Sequence, residues 1–280
     1  TSSGIVASDC NMPDSPENNF ATLNAIEELS KATTFSEGNL QAVIPTAQAT
    51  GKAFSTIAQS SGKWYWEIYY KSRTASGNFL TLGLQTTNAS SNYYIRGADG
   101  ERYDNGSTSS GTSARNAPTN VIGMAVDLDN GKWYIATNNT WQDAGNGTGD
   151  PEGGSGQVQS GLSGEFQFLA GNASSSGNHI FVANFGQDSS FAGNKTAQGN
   201  TDGNGIGDFY YAPPSGYLAL CTSNLPEPTI GPNSLTQADD YFNTVLWTGN
   251  GASSRSISGW GFQPDLMWSK ARSSASYHWL

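Results

Sequence analysis

Two carboxylates held close together across the scissile bond are what a glycoside hydrolase needs, one to protonate the leaving group and one to attack or to activate water. Asp127 and Asp129 in "AVDLDNG" are closely spaced, and Glu67 and Glu165 supply further acids. Asp127 and Asp129 run straight into Asn130-Gly131, however, so a solvated hairpin end suits them better than a catalytic pair. Glu67, between Trp66 and Ile68, reads as a solvated strand position or as half of a ladder ion pair. A nucleophilic triad has less to build on. The histidines are His179 and His278, neither lies in a catalytic elbow, and no Gly-x-Ser-x-Gly occurs. Zinc would need several Cys or His ligands at short spacing, which are absent. In "TDGNGIGDF", Asp202, Asn204 and Asp208 place oxygen ligands around a glycine turn, as a Ca²⁺ loop does. The bidentate Glu that closes an EF-hand is missing, and an Asx-rich turn accounts for these residues better. The expectation is a protein that is not an enzyme and needs no cofactor, with Ca²⁺ the one ion that has a candidate site.

Binding chemistry is better represented. Aromatic rings in loops stack on the apolar faces of sugars or on partner proteins, and neighbouring amides add hydrogen bonds. Tyr93, Tyr94 and Arg96 in "SSNYYIRG", and Asn138, Asn139 and Trp141 in "NNTWQ", are the candidates. The same side chains would serve equally to cover the ends of a sandwich or a contact between subunits.

Composition limits the partners. The chain has 280 residues, of which 36% are hydrophobic, 11% aromatic and 13% charged, with 34 glycines. Its net charge is −10, and its 13 basic residues are scattered without a run, so it lacks the cationic footprint that nucleic acid requires. No apolar segment approaches the roughly 20 residues that span a bilayer. Cys10 and Cys221 are too far apart in sequence to define a disulfide framework, and buried thiols are the simpler reading. Six Asn-x-Ser/Thr sequons arise readily in a chain this rich in Asn, Ser and Thr. A start at Thr1 and a stop on "SYHWL" are expected of a piece cut from a longer polypeptide, or of a processed product.

The elements that must position these groups are strands. Residues 1–19 form a polar arm. A short helix is expected at 23–31, "LNAIEELSK", with Asn24 as its cap. From residue 35 the pattern has period two. In "GKWYWEIYY", Trp64, Trp66, Ile68 and Tyr70 share one face, expected to lie between two sheets. Tyr65, Glu67 and Tyr69 share the other, expected to meet solvent or a neighbouring subunit. Leu80, Leu82 and Leu84 alternate in the same way. "VIGMAVDLDNGKWYIAT" reads as a hairpin turning at Asn130-Gly131. "EFQFLAG" (165–171) and "HIFVANFG" (179–186) read as a strand pair, "YLALCT" (217–222) as a last strand, and 142–164 as a long exposed loop. Short strands with turn clusters between them predict an all-β, antiparallel two-sheet sandwich over 20–222. Prolines cluster at 223–240, a linker, and 241–280 restarts the strand pattern as the opening of a second β domain.

At this point a family resemblance appears. "GKWYWEI" resembles the SPRY signature strand through Gly62, Lys63, Tyr65, Trp66, Glu67 and Ile68. The 122–141 hairpin, with Gly123, Leu128, Asp129 and Gly131, "VANFG" and "APPSGYLAL" are similar to later SPRY blocks. The resemblance implies a concanavalin-like jelly roll that binds rather than catalyses. "SPENNFATLN", "YAPPSGYLALCTSNLPEPTI" and "GWGFQPDLMWSKAR" look like blocks of tailed-bacteriophage tail-fibre and virion-surface proteins, with Phe262, Pro264, Asp265, Leu266 and Trp268 matching the block that opens a following domain. That implies a virion protein, outside the cell, mediating or spacing attachment to a host-surface glycan or protein. It further implies contacts with other tail proteins and a homotrimer. A secreted or cellular lectin-like module is the alternative, and a polysaccharide depolymerase a more distant one.

Overall fold

The computed structural model of the chain describes residues 18–26, 33–45, 52–74, 80–97, 100–109, 117–145, 147–172, 177–226 and 240–279. It divides into two units, Thr1–Leu225 and Pro226–Leu280.

The first unit is built from short strands separated by turns. They are β1 (Thr34–Ser36), β2 (Gln41–Ile44), β3 (Lys52–Phe54), β4 (Lys63–Arg73) and β5 (Leu80–Thr86). Next come β6 (Asn92–Arg96), β7 (Arg102–Asp104), β8 (Ser107–Ser109), β9 (Val121–Asp127) and β10 (Lys132–Thr137). The last are β11 (Thr140–Gln142), β12 (Gln159–Ser160), β13 (Phe166–Asn172), β14 (His179–Asn184) and β15 (Leu218–Ala219). One sheet of nine strands runs β1-β2-β14-β4-β9-β10-β11, with β12 on β10 and β15 on β4. The other, of six, runs β3-β13-β5-β6-β7-β8. Every pairing is antiparallel except that of β15 with β4. The fold is therefore an all-β, two-sheet sandwich.

Alternation decides the core. Trp64, Trp66, Ile68 and Tyr70 of β4 face inward with Met124, Val126, Trp133, Ile135 and Phe181, against Leu80, Leu82, Leu84, Ile95, Phe166 and Phe168 of the other sheet. Phe168 stands edge-on to Trp66 and Phe181, with centroids 6.0 and 6.4 Å away. Burying each such side chain contributes about 1.5–3 kcal/mol. The first unit also closes on itself. Phe20 bridges Cys221, Ala21 donates its N–H to the Leu220 carbonyl, and Thr222 donates to that of Asn19.

Several local expectations are corrected. The strands at 165–171 and 179–186 are not partners: β13 pairs with β3 and β5, β14 with β2 and β4, so the chain crosses between sheets. Both strands bury one face in the same core, and their alternation cannot say from which side. The 121–137 hairpin forms, but Asp127 pairs with Lys132 across a four-residue loop in which Gly131, not Asn130, is left-handed. Asp127 accepts the Asn130 N–H and takes the place of a tight turn's own bond. Residues 142–164 are only partly exposed, because β12 pairs with β10 and Val158 and Leu162 enter the core. Leu23 is bridged to Ser55 and Asn24 accepts the Ile26 N–H in an Asx turn; the rest of the expected helix, 27–31, lies outside the described residues.

The second unit forms no ladder among its described residues. One isolated bridge joins Ser269 to Trp279, while Phe242, Leu246, Trp268 and Trp279 are exposed. The strands expected at 241–280 are absent there. A strand exists only when paired, and the described residues of this unit pair at a single point.

Candidate functional site

The outward face of the nine-stranded sheet is covered by the chain's own residues 185–221. Tyr65, Glu67 and Tyr69, expected to meet solvent, lie 1%, 0% and 8% exposed beneath them. Glu67 explains how an irregular segment is held there. Its Oε1 accepts the Tyr65 hydroxyl at 3.0 Å and the Tyr211 N–H at 2.7 Å. Its Oε2 accepts the Tyr210 N–H at 2.8 Å and the Asn184 amide at 3.2 Å. Burial pushes this carboxyl up to about 7, against four donors that each favour its charged form. Asn184 extends the network: it donates to the Asp208 carbonyl and accepts the N–H groups of Gly186 and Asp188. A carboxyl so enclosed has no room for substrate. It is a structural acceptor.

The calcium candidates do the same work. Asp202 accepts the N–H groups of Asn204 and Ile206 on one oxygen, and the Ala219 N–H and Asn224 amide on the other, all within 2.9 Å. Asp208 accepts from Ser189 Oγ and, at 3.1 Å, from Gly199 N–H. The Asn204 amide donates to Asn224. Donor hydrogens therefore occupy the directions from which a cation would approach, and these residues are Asx-type staples.

The spaced acids of the hairpin are likewise engaged. Asp127 pairs with Lys63 at 3.2 Å and accepts both the N–H and the side-chain amide of Asn130. Burial raises its pKa, but the Asn130 bonds and the Lys63 ammonium outweigh that and leave it lowered. At 2% exposure it is not the solvated residue expected. Asp129 is exposed and accepts the Gly62 N–H at 2.7 Å. Glu165 is exposed and accepts the Thr87 hydroxyl. His179 is wholly buried, its Nδ1 2.5 Å from the Tyr70 hydroxyl and its Nε2 without a partner. Burial and the Arg73 charge lower its pKa to about 4, so the ring is neutral. His278 lies in the second unit, its Nδ1 accepting the exposed Trp268 indole N–H.

The six expected binding residues do not form one site. Tyr93 points inward, onto Phe166. Its neighbours Tyr94 and Arg96 therefore face outward from the six-stranded sheet, where Tyr94 stacks on Tyr103 with centroids 4.5 Å apart and rings 9° from parallel. Arg96 is ion-paired with Glu101 at 2.6 Å. Gly83 lies opposite Tyr94 in the ladder, and a Cβ there would stand 1.9 Å from the Tyr93 carbonyl oxygen. Only glycine permits that approach. Trp141 sits on the opposite side of the sandwich, on the outward face of the nine-stranded sheet, 6.4 Å from Tyr65. Asn138 and Asn139, at φ 48° and 64°, form the two-residue turn between β10 and β11.

That turn lies beside residues the sequence reading passed over. Asn138 accepts the Val121 N–H and donates to Asn120, and Val121 packs with Tyr69 and Phe191, against which Tyr210 and Tyr211 lie half-buried. Lys195 is 5.1 Å above the Tyr69 ring and 6.0 Å from that of Tyr210. The doubled tyrosines of "FYYAPP" were the only sequence signal for this group.

A family model described as a domain of unknown function, DUF7483, matches residues 237–280. No curated protein matches the chain. Similar solved structures include the SPRY domain of human HERC1, 13% identical with a TM-score of 0.42, over 54% of this chain and 91% of that one. The TRIM65 PSpry domain is 13% identical with a TM-score of 0.40, over 59% and 92% of the two chains. The stonustoxin structure is 14% identical with a TM-score of 0.38, over 59% of this chain and 27% of that one.

Proposed function

We propose that the chain is a non-catalytic adhesion module of a tailed-bacteriophage virion, part of a tail fibre or surface protein, which presents its loops to a host-surface glycan or protein. One observation carries the adhesion reading. The acids that a hydrolase would use, Glu67 and Asp127 foremost, are buried and bonded as structural acceptors, whereas tyrosines and single cations stand half-buried, and Asn138 and Asn139 exposed, at the rims and faces. The virion context rests on the sequence blocks near both ends of the chain, one of which, residues 259–272, falls within the span matching DUF7483. Fibre proteins of that kind assemble as homotrimers alongside other tail proteins, and the same is proposed here.

The test is cell labelling together with microscopy. Fluorescent full chain is expected to decorate a subset of a bacterial panel without releasing reducing ends from their polysaccharides. Antibodies against the chain are expected to mark fibres or the surface of the parent particle. Label on no cell, or new reducing ends, would overturn adhesion; particles bare of antibody would overturn the virion context.

A further inference from the structure

Around Lys195 the loops gather an ammonium group that the fold does not fully use. The group carries three donors. One reaches the Thr119 carbonyl at 3.3 Å, and among the described residues no carboxylate lies within ion-pair distance of it. Lys63, by contrast, has its carboxylate, and Lys52 and Lys71 have glutamine acceptors at 2.9 and 3.0 Å. Lys195 is instead held over the Tyr69 and Tyr210 rings by cation–π attraction. Tyr210 stands edge-on to Tyr211, centroids 4.9 Å apart and planes at 88°, so the pair shows neighbouring ligands both a ring face and an edge.

The backbone that presents this group is strained. Thr119, whose carbonyl holds Lys195, has φ 76°, a left-handed value that a β-branched residue seldom adopts. Phe191 and Ala192, on the Lys195 loop, follow one another at φ 51° and 56°. The buried Phe191 ring wedges that loop down, and Asp188 accepts the N–H groups of Ser190 and Ala192. Such conformations persist only where the surroundings impose them, and they cluster at binding sites. Asn120 and Asn138 are bonded to each other next to Thr119, and Asn139 is exposed at the tip of its turn.

We infer that Lys195 receives a single anionic substituent, a carboxylate or a phosphate ester, of an otherwise neutral saccharide whose apolar face stacks on Tyr211, the ring of the pair that Lys195 does not cover. The anion takes the two unused ammonium donors, and Asn139 is placed to bond hydroxyls. A net charge of −10 repels a dense polyanion, so the sparse charge of an acidic polysaccharide fits better than that of nucleic acid. This assignment deepens the adhesion reading and rests on it.

Calorimetry on the full chain tests it with maltohexaose bearing one uronate residue and maltohexaose bearing one phosphate ester as the two acid sources, and unmodified maltohexaose and poly-glutamate as controls. At least one acidic glycan is expected to bind, and Lys195→Gln to weaken it about tenfold, the scale of one charge-assisted bond. Lys195→Arg should keep most of the affinity, and roughly 0.5 M salt should reduce it. Which acid binds identifies the source. Binding of neither acid, equal binding of unmodified maltohexaose or poly-glutamate, or indifference to Lys195→Gln would overturn the inference. If the Gln variant melts early, Asn139→Asp provides the readout. It tolerates the left-handed turn and should lower affinity for the acidic glycan by repulsion with the fold intact, and unchanged affinity would overturn the inference. Wild-type and Lys195→Gln chains that label cells equally would refute this site alone, whereas a wild-type chain that labels no cell refutes the adhesion reading itself.

Discussion

The two outward faces of the sandwich use polar residues in opposite ways. On the nine-stranded sheet, Glu67 and Asp202 are buried and Asp208 half-buried, and they turn their oxygens to backbone N–H groups, so that a segment with no regular structure before β15 becomes a lid. On the six-stranded sheet, Tyr94, Tyr103, Arg96 and Glu101 are half-buried and bond to one another. Buried acceptors with several donors resist removal, because each donor left behind loses its partner in a dry environment. Half-buried pairs are cheap to break, since water replaces what is lost. The first face is built for stability and the second can change with little consequence for the fold.

The contrast is broken most directly at Glu67. Glu67→Ala strips four donors of their acceptor and is expected to cost about 3–5 kcal/mol in urea unfolding, with hydrogen-exchange protection lost over 208–213. An effect below that of Tyr94→Ala would invert the comparison.

The next effect appears against pH. Glu67 has its carboxyl at about 7 in the folded chain against an ordinary 4.5, so between those values the folded state holds a proton that the unfolded state has released. Its contribution therefore falls as pH rises through that window, by up to about 1.4 kcal/mol per unit. His179, at about 4 against 6.5, has the opposite sign: the unfolded state binds the extra proton, and stability rises with pH from 4 to 6.5. The wild type should be nearly level from pH 4.5 to 6.5. Glu67→Gln should rise across that range and His179→Gln should fall, as followed by melting temperature. Level curves in both variants would refute the two assignments.

Asp202→Ala removes the acceptor for Asn204, Ile206, Ala219 and Asn224, and should cost about 2–4 kcal/mol. Added Ca²⁺ should leave the wild-type melting temperature where it is; a calcium-dependent rise would restore the metal reading. The smallest losses belong to the other face. Tyr94→Ala should cost about 1 kcal/mol through its stacking partner, and Arg96→Ala less still.

How far the sequence could be read follows from the same physics. Alternation in "GKWYWEIYY" correctly told which rings enter the core, because a strand has only two faces and one was richer in large apolar groups. It could not tell that the other face was covered, since residues 187–216 have no strand periodicity and are placed by Glu67 and Asp202, whose bonds span 143 and 17 residues. Sheet membership of β13 and β14 was unreadable for a related reason: both alternate toward the same core. Tyr94 and Arg96 were chosen as neighbours in sequence and remain on one face, whereas Tyr93 turned inward by the same alternation, and Trp141 lies across the sandwich. Lys195 carried no local signal at all. Its position over Tyr69 depends on pairings between residues more than a hundred apart in the chain.

The antiparallel meeting of Asn19–Ala21 with Leu220–Thr222 has a mechanical consequence. Tension applied along the polypeptide reaches the sandwich through two adjacent ends that part like a zipper, one bond after another, instead of shearing together. A unit threaded in this way is poor as a load-bearing segment.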